Sequence, residues 1–354
     1  MNSFCSALGL DKFLSLNKIH VNMILCSLNR NFALSLPFVE DRLPYDIKNE
    51  KRLFHFVLSI ACTIFVGMKR LVIFGNTYQQ GDVDRVMALL KHLREQGVEV
   101  AVEREYLQYL SGGRKADFPS FDTVAVPDAD MALSLGGDGT FLTTAMWVSR
   151  QGLPILGVNV GHLGYLTAGR LDEQAHLIDE VLAGNYRIEE RTMLQVACDA
   201  VEIAHPWALN EVAILRHETS SMLDMETRLR GQELTTYRGD GLIVSTPTGS
   251  TAYNMSVGGP ILEPTTSCLV LSPISPHSLT MRPLVVRDDS EIVVRTHTRA
   301  THYEVSLDGE VALCPTGSSL TISRAPYCAR VVQSPGNNFA STLRQKLLWG
   351  TDQR

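Results

Sequence analysis

The feature that most constrains this chain is a change of periodicity near Ile188. Before it, short apolar runs alternate with stretches of helical spacing. Arg70 to Phe74 reads as a buried strand. Val83, Val86, Met87, Leu90 and Leu93 then mark one face of a helix that Gly97 closes as a C-cap. Val98 to Val102, Met131 to Leu135 and Pro154 to Val158 are further strands. Phe141 to Arg150 and Leu171 to Ala183 read as helices stopped before Gly152 and Gly184. Such alternation predicts a parallel sheet with helices on its faces. After Ile188 helical spacing nearly vanishes. β-Branched runs recur at Met193–Ala197, Glu211–Leu215, Leu242–Thr246, Glu291–Thr296, Glu304–Leu307, Ser319–Ile322 and Arg330–Gln333. The expectation is an α/β domain over 68–187, an all-β domain over 188–336, and a last segment, 337–354, with a short helix at Asn338–Trp349.

Residues 1–67 lack this texture. Their apolar run, Leu53 to Gly67, spans 15 residues, short of the ~20 that a membrane-crossing helix needs. It also lies too far along the chain for an ordinary signal peptide. The segment reads as a dispensable extension ahead of a start at Met68; a membrane-proximal anchor is the rival reading. Of 354 residues, 45% are hydrophobic and 20% charged, which supports a packed core. The net charge of −6 disfavours a broad basic face for nucleic acid. Seven scattered cysteines without a Cys-x-x-Cys pair read as reduced thiols, hence a cytoplasmic location.

The strongest chemical signal is Gly136-Gly137-Asp138-Gly139-Thr140 between a strand and a helix. Glycines let a backbone approach a ligand closely, and successive N–H groups before a helix can cradle an anion. A carboxylate inside a phosphate cradle fits a base for a substrate hydroxyl or a ligand for Mg²⁺ better than a phosphate contact. The bland alternative is a tight turn in which Asp138 or Thr140 caps the helix. No Walker-A or G-x-G-x-x-G pattern occurs. A second glycine-rich turn, Gly157 to Gly164, follows the next strand, and neighbouring strand ends define a crevice. Asn210-Glu211 opens one β run and Arg238-Gly239-Asp240-Gly241 precedes another. Ser245 to Ser256, followed by Gly258-Gly259-Pro260, is dense in hydroxyls and small residues around Tyr253, which suits a base and its ribose. His277 stands in Pro273 to Leu279, and Asp308-Gly309-Glu310 reads as a hairpin turn.

Together GGDGT at Gly136–Thr140, GVNVGHLGYLT at Gly157–Thr167, NE at Asn210–Glu211, DGLIVSTPTGSTAYNMSVGGPIL at Asp240–Leu262 and PISPHSL at Pro273–Leu279 resemble the NAD kinase family. GGDGT alone is shared with diacylglycerol and sphingosine kinases; the TPTGSTAY segment is the specific part. The resemblance implies a Rossmann-like α/β domain, a β-sandwich-like second domain, a C-terminal return to the first, and a site between them. It implies a homodimer or homotetramer, without membrane or nucleic-acid partners, that forms NADP from NAD and ATP with Mg²⁺. It carries Asp138 over as the base for the adenosine-ribose 2′-hydroxyl, with Gly139 beside it. Gly136, Gly137, Gly139 and Thr140 would face ATP phosphates. Asn210, Glu211, Arg238, Asp240, Thr251, Ala252, Tyr253, Asn254, Met255 and Ser256 would bind the dinucleotide, Arg238 and Asp240 toward its nicotinamide half or a neighbouring subunit. His277, Ser221 and Glu310 are further candidates; Ser221 stands where many relatives have a basic or imidazole side chain, and Glu310 where many have Gln. The competing readings are a non-catalytic dinucleotide-binding regulator, which could dispense with Asp138, and a lipid kinase of the diacylglycerol type, which needs an acyl slot.

Overall fold

Strand and helix alternate from Arg70 onward. The computed structural model describes residues 68–78, 83–160, 164–167, 175–217, 222–334 and 338–350, all within the unit Val66–Arg354. The extension 1–67 lies outside the described residues. β1 (Arg70–Gly75), β2 (Glu99–Glu103), β3 (Ser120–Phe121), β4 (Met131–Leu135) and β5 (Pro154–Val158) form a parallel sheet in the order β3-β2-β1-β4-β5. β4 and β5 are buried throughout, as near-continuous apolar runs with helices on both faces must be. Helices α1 (Val83–Glu95), α2 (Arg104–Ser111), α3 (Asp138–Val148) and α4 (Ala175–Leu182) supply the covering faces. Gly97, Gly152 and Gly184 adopt φ of 81°, 67° and 82°, the left-handed stops expected of them.

α2 is absent from the sequence reading. Its face is short, with Tyr106, Leu107 and Leu110 buried, and its N-cap is Glu103, whose carboxylate accepts from the Glu105 and Tyr106 N–H groups. α3 begins earlier than Phe141: Asp138 already lies in its first turn.

The second half is built of strands. β6 (Arg187–Cys198), β7 (Trp207–Ala208), β9 (Leu223–Leu229), β10 (Gln232–Gly239), β14 (Ile292–His297) and β17 (Ser319–Gln333) continue the first sheet to eleven strands. β8 (Glu211–Arg216), β11 (Gly241–Ser245), β12 (Cys268–Ile274), β13 (Leu284–Arg287), β15 (His302–Leu307) and β16 (Glu310–Pro315) form a separate antiparallel sheet, ordered β13-β12-β11-β8-β15-β16. The two sheets enclose a core that includes Leu194, Met225, Leu242, Val294, Tyr303 and Ile322, all essentially excluded from solvent. This is the α/β plus β-sandwich architecture that the sequence implied.

Ser319–Ile322 and Arg330–Gln333, expected as two strands, are parts of one, β17, with an irregularity between Arg324 and Cys328. Its first half pairs antiparallel with β14; its second half runs parallel to β5 at Arg330–Val331. One strand therefore belongs to both halves of the fold. The β9–β10 hairpin turns through Arg230 and Gly231, both at positive φ. Asp308 and Gly309, at φ 50° and 97°, make the turn between β15 and β16 that Asp-Gly predicts. The last helix, α5 (Phe339–Lys346), starts with a reciprocal cap between Asn338 and Ser341.

Candidate active site

Order β3-β2-β1-β4-β5 places a switch point between β1 and β4, where connections leave to opposite sides and a crevice opens. Gly136 to Thr140 leaves the C-terminal end of β4 at that point. Gly136 lies against Thr140: a Cβ there would sit 2.2 Å from the threonine hydroxyl. A Cβ on Gly137 or Gly139 would meet open space. Gly137 is the N-cap of α3 and has no side chain to satisfy the first N–H groups of the helix. Asp138 does not cap. Its carboxylate turns to the segment after β5 and accepts the N–H of Tyr165 at 2.6 Å and of Leu166 at 2.8 Å. Gly164 allows this approach, since a Cβ there would lie 2.1 Å from Oδ1 of Asp138. The two glycine-rich turns thus meet through one carboxylate, with β4 and β5 paired beneath them. Gly161, His162 and Leu163 lie outside the described residues.

Tyr165 also reaches the other half of the fold, where its hydroxyl lies beside Thr251. Thr251 belongs to the turn after β11, which is packed hard on Asn210. Thr246 N–H donates to the Asn210 carbonyl at 2.8 Å, and Thr246 Oγ1 donates to the Leu209 carbonyl at 2.5 Å. A Cβ on Gly249 would stand 2.2 Å from the Asn210 carbonyl oxygen. Asn254 is fully buried and spends its amide internally: it donates to the Ser250 and Pro260 carbonyls and accepts from Ser272 Oγ at 2.6 Å. Tyr253, Met255 and Ser256 stay exposed on the same short turn, while Thr251 and Ala252 are half-buried.

Glu211 faces this turn and accepts the N–H of Tyr253. Burial, with the charge of Asp308 beside it, pushes the Glu211 carboxyl up to about 8. Asp308 is a site residue that the sequence reading passed over as turn-forming. Its carboxylate accepts the N–H of Leu209 at 2.6 Å, Asn210 at 2.9 Å and Glu211 at 3.0 Å. Burial outweighs these three bonds and raises its pKa to about 6. Only the Asp-Gly pair signalled it, and that signal names a turn, not a partner. Glu310, exposed at the start of β16, adds charge nearby.

Asp138, Gly139, Asn210, Glu211 and Thr251–Ser256 are thus linked around Tyr165 and Asp308. Arg238, Asp240 and His277 gather elsewhere. Asp240 precedes β11, so it lies a whole five-residue strand, about 17 Å, from the turn beyond Ser245. It pairs with Arg216 at 3.4 Å, Arg238 pairs with Asp224 at 3.0 Å, and the His277 N–H donates to the Arg238 carbonyl. Ser221 lies outside the described residues.

Residues 71–186 match the ATP-NAD kinase N-terminal domain, and residues 209–334 match the ATP-NAD kinase C-terminal domain. The NAD kinase of Bacteroides fragilis is 43% identical over 288 residues, covering 80% of this chain and 99% of its own length. That of Flavobacterium johnsoniae is 39% identical over 292 residues, with coverage of 80% and 99%. Among solved structures, a yeast NADH kinase complexed with NADH superposes with a TM-score of 0.74 at 22% identity, over 82% of this chain and 90% of that one. An Archaeoglobus fulgidus NAD kinase in complex with ATP gives 0.59 at 28% identity, over 78% and 98%. The chain belongs to the ATP-NAD kinase family.

Proposed function

We propose that the NAD kinase reaction of this chain, ATP + NAD → ADP + NADP, runs through Asp138 as the base for the adenosine-ribose 2′-hydroxyl. The observation that carries this reading is the aim of the carboxylate. Two backbone N–H groups hold it from one side, at the open mouth of a glycine turn that starts an uncapped helix. A carboxylate has about four lone-pair sites, so two remain to accept the ribose proton. The free N–H groups of Asp138, Gly139 and Thr140 face the place where phosphate oxygens would arrive. Phosphoryl transfer passes a loose transition state, so alignment and charge stabilisation are the main tasks.

The dinucleotide would lie across Asn210, Glu211 and the Thr251–Ser256 turn. Asn254 would act by shaping that turn, and Tyr253 by covering the ligand. A Glu211 carboxyl that keeps its proton at neutral pH is able to donate a hydrogen bond. NADP has no free 2′-hydroxyl for Asp138 to deprotonate, so it leaves as the product and is not a further acceptor. Among the described residues no three His, Cys, Asp or Glu side chains gather as a metal cage. Mg²⁺ fits instead as part of the substrate, bound to the phosphates of ATP.

The family relationship supports a homodimer or homotetramer. The edge strands β13 and β16 expose Val285, Val311 and Leu313, which suits contact with a second copy. Arg238, Asp240 and His277 would then serve the far end of the dinucleotide or a neighbouring subunit. Cys198, Cys268, Cys314 and Cys328 are free thiols, in keeping with a cytoplasmic enzyme, and no described helix is long and apolar enough to cross a membrane.

Asp138→Asn tests the reading. General-base assistance is worth about 10²–10⁴-fold, so kcat should fall by that factor with normal folding. Near-full turnover in a coupled NADP assay would refute the assignment.

A further inference from the structure

Asp138 is aimed by its neighbours across the crevice, and a strap is only as rigid as whatever holds its other edge. That other edge is held from the end of the chain. Lys346, in the last turn of α5, donates from Nζ to the carbonyl of Tyr165 at 3.0 Å and of Thr167 at 2.5 Å. Tyr165 and Leu166 give their N–H groups to Asp138. The segment 165–167 is therefore clamped between a carboxylate and an ammonium.

A half-buried lysine is a costly choice for this place. Burial lowers the Lys346 pKa, and the charge of Asp138 pulls it back up. A Leu or Met would fill the volume without desolvating a charge. Neither could hold two carbonyls. Successive N–H groups bind an anion only while the peptides keep one orientation. The Tyr165 carbonyl shares its peptide plane with the Leu166 N–H, so Lys346 fixes one of the two donors to Asp138 directly and anchors the segment just beyond it through Thr167.

We propose that Lys346 is a positioning residue for Asp138: it clamps the Tyr165 and Thr167 carbonyls, and so makes the chemical step depend on the C-terminal helix. The inference rests on Asp138 as the base. It concerns kcat more than dinucleotide binding: Lys346 donates to the Tyr165 and Thr167 carbonyls and, among the described residues, to none of Asn210, Glu211 or the Thr251–Ser256 turn.

The test uses the full chain, with Lys346→Met, Lys346→Arg, Lys346→Ala and, as the control, Asp138→Asn. A misplacement near 1 Å costs on the order of 100-fold, so K346M should lose roughly 10–100-fold in kcat while KM for NAD stays within about threefold. K346R should recover most of the loss, because a guanidinium also presents donors to both carbonyls. Added propylammonium should restore K346A in a saturable way. Thermal unfolding of each variant reports whether it is folded. If K346M turns over like wild type while D138N is dead, the proposal falls and the role of Asp138 stands. If kcat and KM both worsen, and neither arginine nor amine restores turnover, Lys346 is merely structural and the proposal falls. If D138N itself retains turnover, the base assignment fails first and takes the clamp with it.

Discussion

Gly164→Ala is the sharpest probe of the Asp138 geometry. The added methyl would lie 2.1 Å from Oδ1 and 2.7 Å from Cγ of Asp138. An ordinary carbon–oxygen contact needs about 3.3 Å, so the carboxylate must retreat by about 1 Å. Asp138 has a short side chain and can swing, so the clash is relieved at the carboxylate. The fold would lose about 1–3 kcal/mol, the usual cost of an extra methyl in a tight site. Catalysis would lose more in proportion. A retreat of that size breaks the alignment with the N–H groups of Tyr165 and Leu166, and a misplacement near 1 Å costs about 100-fold, or roughly 2.7 kcal/mol of barrier. The assay is steady-state NADP formation followed by a coupled dehydrogenase, with a thermal melt on the same preparation. The expected result is a folded protein with kcat down about 100-fold and KM for NAD little changed. A G164A enzyme with wild-type kcat would refute the reasoning, because it would show that the carboxylate can move 1 Å without consequence.

Gly249→Ala should behave differently. Its methyl would lie 2.2 Å from the Asn210 carbonyl oxygen and 2.5 Å from the carbonyl carbon, and backbone cannot swing aside. Stability should drop by about 1–3 kcal/mol, with KM for NAD rising, as read by denaturant unfolding and kinetics. Glu211 sets a pH dependence. Its folded pKa of about 8 exceeds the ordinary carboxyl value of 4.5, so its contribution is fully present below about pH 4.5 and is lost as pH rises toward and through 8. Urea midpoints of the wild type should therefore fall between pH 5 and 8.5. Glu211→Gln should flatten that slope, and an unchanged slope would show that Glu211 is not the titrating group.

Much of the fold is legible in the sequence because its causes are local. β4 and β5 are apolar runs of strand length, and α1 carries its core face at helical spacing. Gly97, Gly152 and Gly184 stop helices because positive φ is cheap only without a Cβ. The β9–β10 hairpin has a weak sequence signal because the buried positions of β9, Leu223, Met225 and Thr227, include a polar residue among charged neighbours. β12, apolar but for Ser272, is masked by turn residues on both sides.

The sequence alone determined the alternation of elements, the glycine turn and the membership of Asp138 in it, since backbone preference and side-chain period act within a few residues. Only the tertiary structure decided what each functional group touches. Asp138 is held by N–H groups 27 and 28 residues away, Asp308 by groups 97 to 99 residues away, and Lys346 reaches carbonyls 179 and 181 residues back. Such partners leave no period in the chain. They are chosen when β17 closes both halves into one sheet and brings distant loops to a single crevice, where buried polar groups must find one another.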